Sequence, residues 1–177
     1  MATSLTGWLA PLALMSSHAP TTVGLPLGNE ADPYAPAVAR LVKAVVQYTR
    51  WPKNLPPKRV CVVGPTDHAS DMLAGREIGK VGFSAVQVGA DSVSAAGCEI
   101  VYIGRLSLEQ QRAITDRMRG AAVLTIAEND PACRSRAMFC LLFEADSLNF
   151  RLNIDAVSSS QVRIDPRVLR MSAGDRS

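Results

Sequence analysis

The 177 residues are enough for one domain of ordinary size with its own hydrophobic core. Hydrophobic residues make up 47% of the chain and aromatic residues only 5%, so we expect a core of valine, leucine, isoleucine and alanine. Charged residues make up 20%, which argues against overall disorder, and the net charge of +3 comes from scattered basic residues, which argues against a nucleic-acid interface.

Residues 1–33 contain no lysine or arginine and are interpreted as a leader followed by a flexible linker. Leu5–Met15 is mostly apolar but too short for a membrane-spanning helix, which needs about 20 residues. Small residues at 17 and 19 resemble a signal-peptidase site, so a secretory signal peptide is expected to end near residue 19. The alternative is a plain disordered arm, because a basic n-region is missing and Pro20 would follow the cut.

The folded domain is expected to extend from residue 34 to residue 171, with a disordered tail at 172–177. Valine and leucine recur every three or four residues after Tyr34, which is typical of one face of a helix, and Trp51-Pro52 is expected to end that helix. Short apolar runs then alternate with helix candidates. The runs are Val60–Val63, Ala85–Val88, Ile100–Ile103 and Val123–Ile126, and the helix candidates are His68–Gly75, Ser92–Ala96 and Ser107–Arg119.

This alternation predicts an α/β fold with a mainly parallel central sheet flanked by helices. After it, Met138–Glu144 and Leu148–Ile154 are separated by a short turn, which predicts a C-terminal antiparallel β-hairpin. In the second of these strands every other residue, up to Ile154, is apolar and is expected to face the core. Asp155 is expected to cap a short helix, and a last helix is expected to begin at Asp165-Pro166 and end near residue 171.

No group of residues in the sequence forms a catalytic set, so neither an enzyme nor a cofactor is expected. The turn after the first parallel strand has one glycine, Gly64, beside a proline, which is a poor phosphate cradle. A metal site is not expected, because the chain has no Cys-x-x-Cys and its only histidines are His18 and His68. Glu128 and Asp155 could form an acid pair, but such residues are more often caps and turn formers.

Arg50-Trp51 is the most suggestive pair of neighbours for binding. Arginine offers planar donors for a carboxylate or phosphate, and tryptophan offers a flat surface beside it, so the pair suits an anionic or aromatic ligand or a partner protein. The alternative is that Trp51 simply packs against the end of the helix.

Four cysteines allow three pairings. The most economical pairing joins Cys61 to Cys98 and Cys133 to Cys140, because each bridge then closes one local segment. The alternative is four reduced cysteines, some of them buried as small hydrophobic side chains.

Several segments together resemble the YfiR family. They are Gln-Tyr-Thr-Arg-Trp-Pro after the valine-rich helix, Ala-Gly-Cys before an apolar strand, Ile-Ala-Glu-Asn-Asp-Pro-Ala-Cys, Ala-Met-Phe-Cys-Leu, and Leu-Asn-Ile-Asp-Ala-Val ahead of Val-Arg-Ile-Asp-Pro-Arg-Val-Leu. The resemblance extends from Tyr34 to Met171, and the cysteine spacing and the Tyr-x-Arg-Trp-Pro segment are its most specific parts.

The resemblance implies a periplasmic negative regulator that binds the sensor region of a membrane-bound diguanylate cyclase and lowers cyclic-di-GMP. It implies an outer-membrane lipoprotein, similar to YfiB, that sequesters the repressor, together with a homodimer and a small nucleotide or aromatic ligand. The runner-up is a periplasmic small-molecule binding protein with no cyclase partner.

The resemblance also assigns roles to residues. It places a stable disulfide at Cys133–Cys140 and a second at Cys61–Cys98, both sensitive to the redox state of the envelope. The residues that it assigns to a ligand pocket are Arg50, Trp51, Arg163 and Asp165, and those that it assigns to a partner-facing apolar surface include Phe139 and Val157. Asp165 departs from the family, in which a histidine is common at this position.

Overall fold

The structure is a computed structural model that describes residues 24–52, 59–78, 82–94 and 96–173, the side chains of 172 and 173 excepted. The signal peptide expected at 1–19 lies outside the described residues, as do residues 20–23 of the linker and 174–177 of the expected tail.

Nine strands and four α-helices are found in the described residues. The strands are β1 (Leu25–Pro26), β2 (Thr49–Arg50), β3 (Arg59–Val63), β4 (Ser84–Val88), β5 (Ile100–Ile103), β6 (Leu124–Ala127), β7 (Phe139–Phe143), β8 (Ser147–Leu152) and β9 (Arg163–Ile164). The helices are α1 (Tyr34–Gln47), α2 (Ser70–Leu73), α3 (Leu108–Met118) and α4 (Ile154–Ser158), and a 3₁₀ helix spans Pro166–Ala173.

The central sheet has seven strands in the order β1-β8-β7-β6-β5-β3-β4. Strands β3 to β7 pair in parallel with their neighbours, whereas β8 is antiparallel to both β7 and β1. The prediction of an α/β fold with a mainly parallel sheet and a C-terminal hairpin is therefore confirmed. Strands β2 and β9 form a separate antiparallel pair.

Both faces of the inner parallel strands β3, β5 and β6 are buried, as expected where helices cover a parallel sheet, whereas the edge strand β4 is partly exposed. On one face, Val60, Val62 and Tyr102 pack in a cluster that includes the apolar side of α1. On the other face, Val63 and Ile103 pack in a second cluster with side chains of α3 and of the segment between β4 and β5. The strictly apolar run of β5 follows from this two-sided burial.

Helix α3 begins at the predicted cap. The Ser107 hydroxyl accepts a hydrogen bond from the Gln110 backbone N–H at 3.2 Å, and the Gln110 side chain accepts from the Ser107 N–H at 3.1 Å. This reciprocal pair satisfies two of the backbone donors that a helix N-terminus leaves unpaired.

The connection from β4 to β5 carries no helix in its described residues, so the helix expected at Ser92–Ala96 is wrong. Residues 92–94 form a turn instead. Val93 nevertheless covers the α3 side of the sheet, and Cys98 is joined to Cys61 in the middle of β3, with 5.7 Å between the two Cα atoms. The disulfide thus holds an irregular segment where a parallel crossover would commonly place a helix.

Other boundaries also differ from the sequence expectations. Helix α1 ends at Gln47, earlier than expected, because the next residues pair with β9. Ile154 does not continue the alternation of β8 into the core: it is 63% exposed and begins α4. The cap of α4 is Asn153, whose side chain accepts from the Ala156 N–H at 3.0 Å, so the expectation that Asp155 provides the cap is wrong.

Candidate functional site

Arg50 and Arg163 lie directly opposite each other in the antiparallel pair of β2 and β9. The pairing is extended by the Asp165 N–H, which donates to the Tyr48 carbonyl at 2.8 Å. Both arginine side chains are exposed, and like charges in directly opposed positions of a sheet destabilise it. The Arg163 guanidinium donates from Nη1 to the Ser160 and Val162 carbonyls at 3.1 and 3.2 Å, and its other donors, with those of Arg50, suit the binding of an anion.

Asp165 is engaged by Arg167 rather than by the opposed arginines. The Arg167 side chain donates to the Asp165 carboxylate, with Nη2 2.7 Å from Oδ2, and the Arg167 backbone N–H donates to Oδ1 at 2.9 Å. These hydrogen bonds, helped by the charges of Arg167 and Arg50, lower the pKa of Asp165 from 3.8 to about 2. The carboxylate is therefore ionised at neutral pH, and it partly offsets the positive charge of the surface.

Sequence reasoning did not identify Arg167 and Tyr48 as neighbours of this surface. The Arg167 guanidinium carbon lies 5.9 Å from the centroid of the Tyr48 ring, and its side chain also pairs with Asp165. The contact between Arg167 and Asp165 could have been predicted from the sequence, because an arginine two residues after an aspartate can turn back and donate to that aspartate. The contact between Arg167 and Tyr48 could not have been predicted in this way, because it depends on the pairing of β2 with β9.

Trp51 is 7% exposed and belongs to the main core cluster. The Trp51 ring therefore packs in the core and does not present an open flat surface to a ligand. Its indole Nε1 is buried and has no hydrogen-bond partner among the described residues. Of the two neighbours, Arg50 is the one with a side chain that a ligand can reach.

The loop closed by Cys133–Cys140 is fastened to α3. The Arg134 carbonyl accepts from Arg112 Nε at 2.9 Å, and the Ser135 carbonyl accepts from the Thr115 hydroxyl at 2.6 Å. Arg136, which has a φ of 66°, pairs with Asp116 of α3 at 3.0 Å.

The structure has the disulfide pairing that the resemblance implies, Cys61–Cys98 and Cys133–Cys140. Within the described residues no cysteine is free. The bridge between Cys133 and Cys140, whose Cα atoms are 5.4 Å apart, joins the loop to β7. It therefore restrains the position of the loop beside α3.

The two residues assigned to a partner-facing surface differ in burial. Phe139 is 0% exposed, with its ring centroid 5.2 Å from that of Phe150, so its expected place on an exposed apolar surface is corrected to a place in the core. Val157 is half-buried on α4, one turn from the exposed Ile154. On α4, Ile154 is therefore the exposed apolar side chain, and Val157 packs against the main core cluster.

Glu128 is a buried carboxylate at the carboxyl end of β6. It accepts the Tyr102 hydroxyl at 3.0 Å and the backbone N–H groups of Asp67 and His68 at 3.0 and 2.8 Å. Burial, and then the Glu128 charge, raise the pKa of Tyr102 well above 10.0, so the hydroxyl stays protonated and donates.

The Glu128 carboxylate therefore already binds the backbone N–H groups of Asp67 and His68 in the turn after β3. A phosphate would need such N–H groups, so their engagement argues against a phosphate site at this turn. Asp155 lies elsewhere, on exposed α4, where it lines a cavity beside α3. Glu128 and Asp155 therefore do not form an acid pair: Glu128 binds the backbone of the turn after β3, and Asp155 lies on the surface.

No described group of three or more histidine, cysteine, aspartate or glutamate residues could hold a metal ion. Among the same described residues, none of the helices combines the length and the apolar character needed to cross a bilayer.

The model of the YfiR/HmsC-like family matches residues 36–173, which begins inside α1 and ends with the 3₁₀ helix. The matched range includes both disulfides, the arginine pair and α4.

Proposed function

The chain belongs to the YfiR/HmsC-like family, and on this basis we propose that it binds the sensor region of a membrane-bound diguanylate cyclase and holds the enzyme inactive. The family is periplasmic and regulatory rather than catalytic. Repression would lower cyclic-di-GMP and reduce biofilm formation.

The observation that carries this proposal is the pair of disulfides within the family-matched range. Stable disulfides are typical of oxidising compartments and rare in the cytoplasm. One bridge holds the crossover segment on β3, and the other holds the loop beside α3, so both define the shape of a surface rather than a reaction centre. A scaffold of this kind suits recognition by another protein.

The proposed cyclase-binding surface is the exposed side of α4. Ile154 and Val157 lie three residues apart on this helix, so both project to one side. Ile154 is 63% exposed and Val157 is half-buried, and an apolar side chain as exposed as Ile154 is available for a contact with a partner. Phe139 supports this region from the core through Phe150. A YfiB-like outer-membrane lipoprotein would relieve repression by competing for the repressor, which would act as a homodimer.

Residues 1–33 are proposed as the exported leader and linker, with cleavage near residue 19, and 34–171 as the regulatory domain, to whose sheet the linker adds the edge strand β1. The redox state of the envelope would act through the disulfides, because their reduction would loosen the segments that they hold. The order of events would be reduction, loss of shape, release of the cyclase and a rise in cyclic-di-GMP.

The test is a pull-down from solubilised membranes with tagged protein, in oxidised form and after reduction, with the cyclase identified by mass spectrometry. The expected result is capture of a diguanylate cyclase by the oxidised protein and weaker capture after reduction. The third sample is the oxidised Val157→Lys protein, which keeps both disulfides and should capture less cyclase than the oxidised wild type. Equal capture by all three samples, or no cyclase in any of them, would contradict the proposal.

A second candidate, a small-molecule binding protein of the periplasm, is favoured by one observation, the opposed pair Arg50 and Arg163. The ligand would be a small aromatic compound or nucleotide whose anionic group meets the two guanidinium groups. If the protein binds such a ligand with normal affinity but deletion of its gene leaves cyclic-di-GMP unchanged, this second function replaces the first.

A further inference from the structure

A cavity of about 400 Å³ lies between α3 and α4, and Arg119 and Arg136, not the arginines of β2 and β9, are the basic side chains that line it. This volume is within the range of sites that bind small organic molecules. Its lining combines apolar side chains, hydroxyl groups and three charged side chains. The residues that line it are Thr115, Met118, Arg119, Thr125, Arg136, Met138, Asn153, Asp155, Ala156, Ser159 and Ser160.

The walls of the cavity are fixed by hydrogen bonds between its elements. The Met138 N–H donates to the Thr125 hydroxyl at 3.0 Å, which joins the start of β7 to β6. Gln161 donates through its side chain to the Gly120 carbonyl at 2.8 Å, which joins the segment after α4 to the end of α3. Such cross-links keep a cavity open in one shape, so little ordering would be required on binding.

Two arginines reach the cavity from different elements and share one carboxylate. Arg119, which directly follows α3, lies 3.3 Å from Asp116, and Arg136 of the disulfide-closed loop lies 3.0 Å from the same residue. One carboxylate balances only one of the two positive charges. The contacts occupy Arg119 Nη2 and Arg136 Nη1, and each guanidinium has five N–H donors, so both have further donors for a ligand.

The charges limit the class of ligand. Arg119 and Arg136 favour an anion, but Asp155 lines the same cavity and Asp116 stands behind the arginines, which disfavours a dianion. The methionines Met118 and Met138 give an apolar floor that adapts to a flat or irregular body. We propose that this cavity is a binding site for a small organic monoanion, a carboxylate with an apolar body, whose carboxylate is held by Arg119 and Arg136.

The loop that carries Arg136 is closed by Cys133–Cys140, and Arg136 has the left-handed φ of 66°. A non-glycine residue keeps such a conformation only where its surroundings hold it. The disulfide therefore positions one of the two ligand-binding arginines, and loss of the bridge weakens carboxylate binding without removing either charge. This inference goes beyond the proposed cyclase repression and does not depend on it.

The test uses the purified oxidised protein with amide chemical shifts followed by NMR. The probes are phenylacetate, its neutral counterpart phenylacetamide, and phenyl phosphate as a dianion. The expected result is saturable shifts for phenylacetate at residues around the cavity, weaker binding of phenyl phosphate, and no saturable shifts for phenylacetamide. Binding of phenylacetamide as strong as that of phenylacetate would overturn the proposal, as would shifts centred on Thr49 and Arg50 of β2 with none around the cavity.

Variants assign the binding to the cavity. Arg119→Gln and Arg136→Gln should each raise the Kd for phenylacetate about tenfold, as expected for loss of a charged hydrogen bond. Arg105→Gln is the matched control, because Arg105 is an exposed arginine that pairs with Asp67 away from the cavity. An unchanged Kd in both cavity variants would overturn the proposal.

Ser159→Phe tests the cavity without changing charge. Ser159 is an exposed lining residue on the C-terminal side of α4, so a phenyl ring there should fill the entrance and abolish phenylacetate binding while the protein remains folded. Removal of the Cys133–Cys140 bridge by Cys133→Ala with Cys140→Ala should also raise the Kd. Normal binding by the folded Ser159→Phe protein would show that the anion binds elsewhere.

Discussion

The guanidinium of Arg136 donates to the carboxylate of Asp116 at 3.0 Å, and this contact fastens the loop closed by Cys133–Cys140 to α3. The same loop accepts hydrogen bonds from Arg112 and Thr115 of the helix. The loop is therefore held on one side by the disulfide and on the other by α3.

The first prediction concerns repression in the cell. Cys133→Ser removes the short bridge, lowers the amount of folded repressor and should raise cyclic-di-GMP and biofilm formation. The measurement is cyclic-di-GMP by mass spectrometry in cells that carry the variant, with Ser158→Ala at an exposed position of α4 as the control. Unchanged cyclic-di-GMP in the Cys133→Ser strain would contradict the structural role of this bridge.

The second prediction compares the two bridges. Cys61 and Cys98 are 37 residues apart, whereas Cys133 and Cys140 are 7 residues apart. In the chain-entropy model the longer loop contributes about 4 kcal/mol and the shorter about 2.5 kcal/mol to the free energy of unfolding. The double alanine variant of Cys61 and Cys98 should therefore be the less stable one in urea denaturation.

The comparison of the two bridges is well matched, since each joins one fully buried cysteine, Cys61 or Cys140, to one half-buried partner. The cavity left by alanine is thus similar in both variants, and the difference reports loop closure. The opposite result would be a larger loss of unfolding free energy in the double alanine variant of Cys133 and Cys140. It would show that the bridge also maintains the hydrogen bonds between the loop and α3, an effect that the chain-entropy model does not include.

The regular part of the fold could be predicted from sequence because its signals are local. The capping box of Ser107 and Gln110, the apolar run of β5 and the turn between β7 and β8 each depend on residues close in the chain. The helix expected at Ser92–Ala96 failed because a disulfide, not a local preference, holds that segment on the sheet.

The candidate sites were less predictable, because they depend on contacts between distant residues. The sequence pattern does not show that Arg50 lies opposite Arg163, since β2 and β9 are more than a hundred residues apart. Burial of Phe139 and Trp51 likewise depends on the packing of α1 and the hairpin on the sheet. The cavity beside α3 could not be predicted, because its lining comes from α3, β6, the disulfide loop and α4.

The third prediction concerns the opposed arginines. Arg50→Ala should impair ligand or partner binding with little change in melting temperature, because the side chain is exposed and its removal relieves repulsion from Arg163. Arg105→Ala, another exposed arginine, is the control and should leave binding unchanged. A large fall in melting temperature without a binding defect would instead assign Arg50 a purely structural role.

The fourth prediction concerns pH. The pKa of Asp165 is lowered to about 2 in the folded protein, so its ion pair with Arg167 stabilises the fold above the unfolded pKa of 3.8 and is lost as the pH falls towards about 2. The melting temperature of Asp165→Asn should therefore lie below that of the wild type at neutral pH, by an amount that shrinks as the pH falls below about 4. A difference that stays constant down to about pH 2 would show that the ion pair is not its cause.

The fifth prediction concerns the proposed contact surface on α4. Val157→Lys places a charge on the side of the helix that carries the exposed Ile154, and burial of an unpaired charge in an interface is costly. Capture of the cyclase should therefore fall at least about tenfold, while both disulfides are retained and the protein remains folded.

The neighbouring Ser158 supplies the matched control for this surface, because it is exposed on the same short helix but points in another direction. Ser158→Lys adds the same charge and should leave capture of the cyclase near the wild-type level. If both variants lose binding equally, the effect is one of net charge and not of the apolar surface. If neither loses binding, the cyclase contacts another part of the protein, and α4 acts only as one wall of the cavity beside α3.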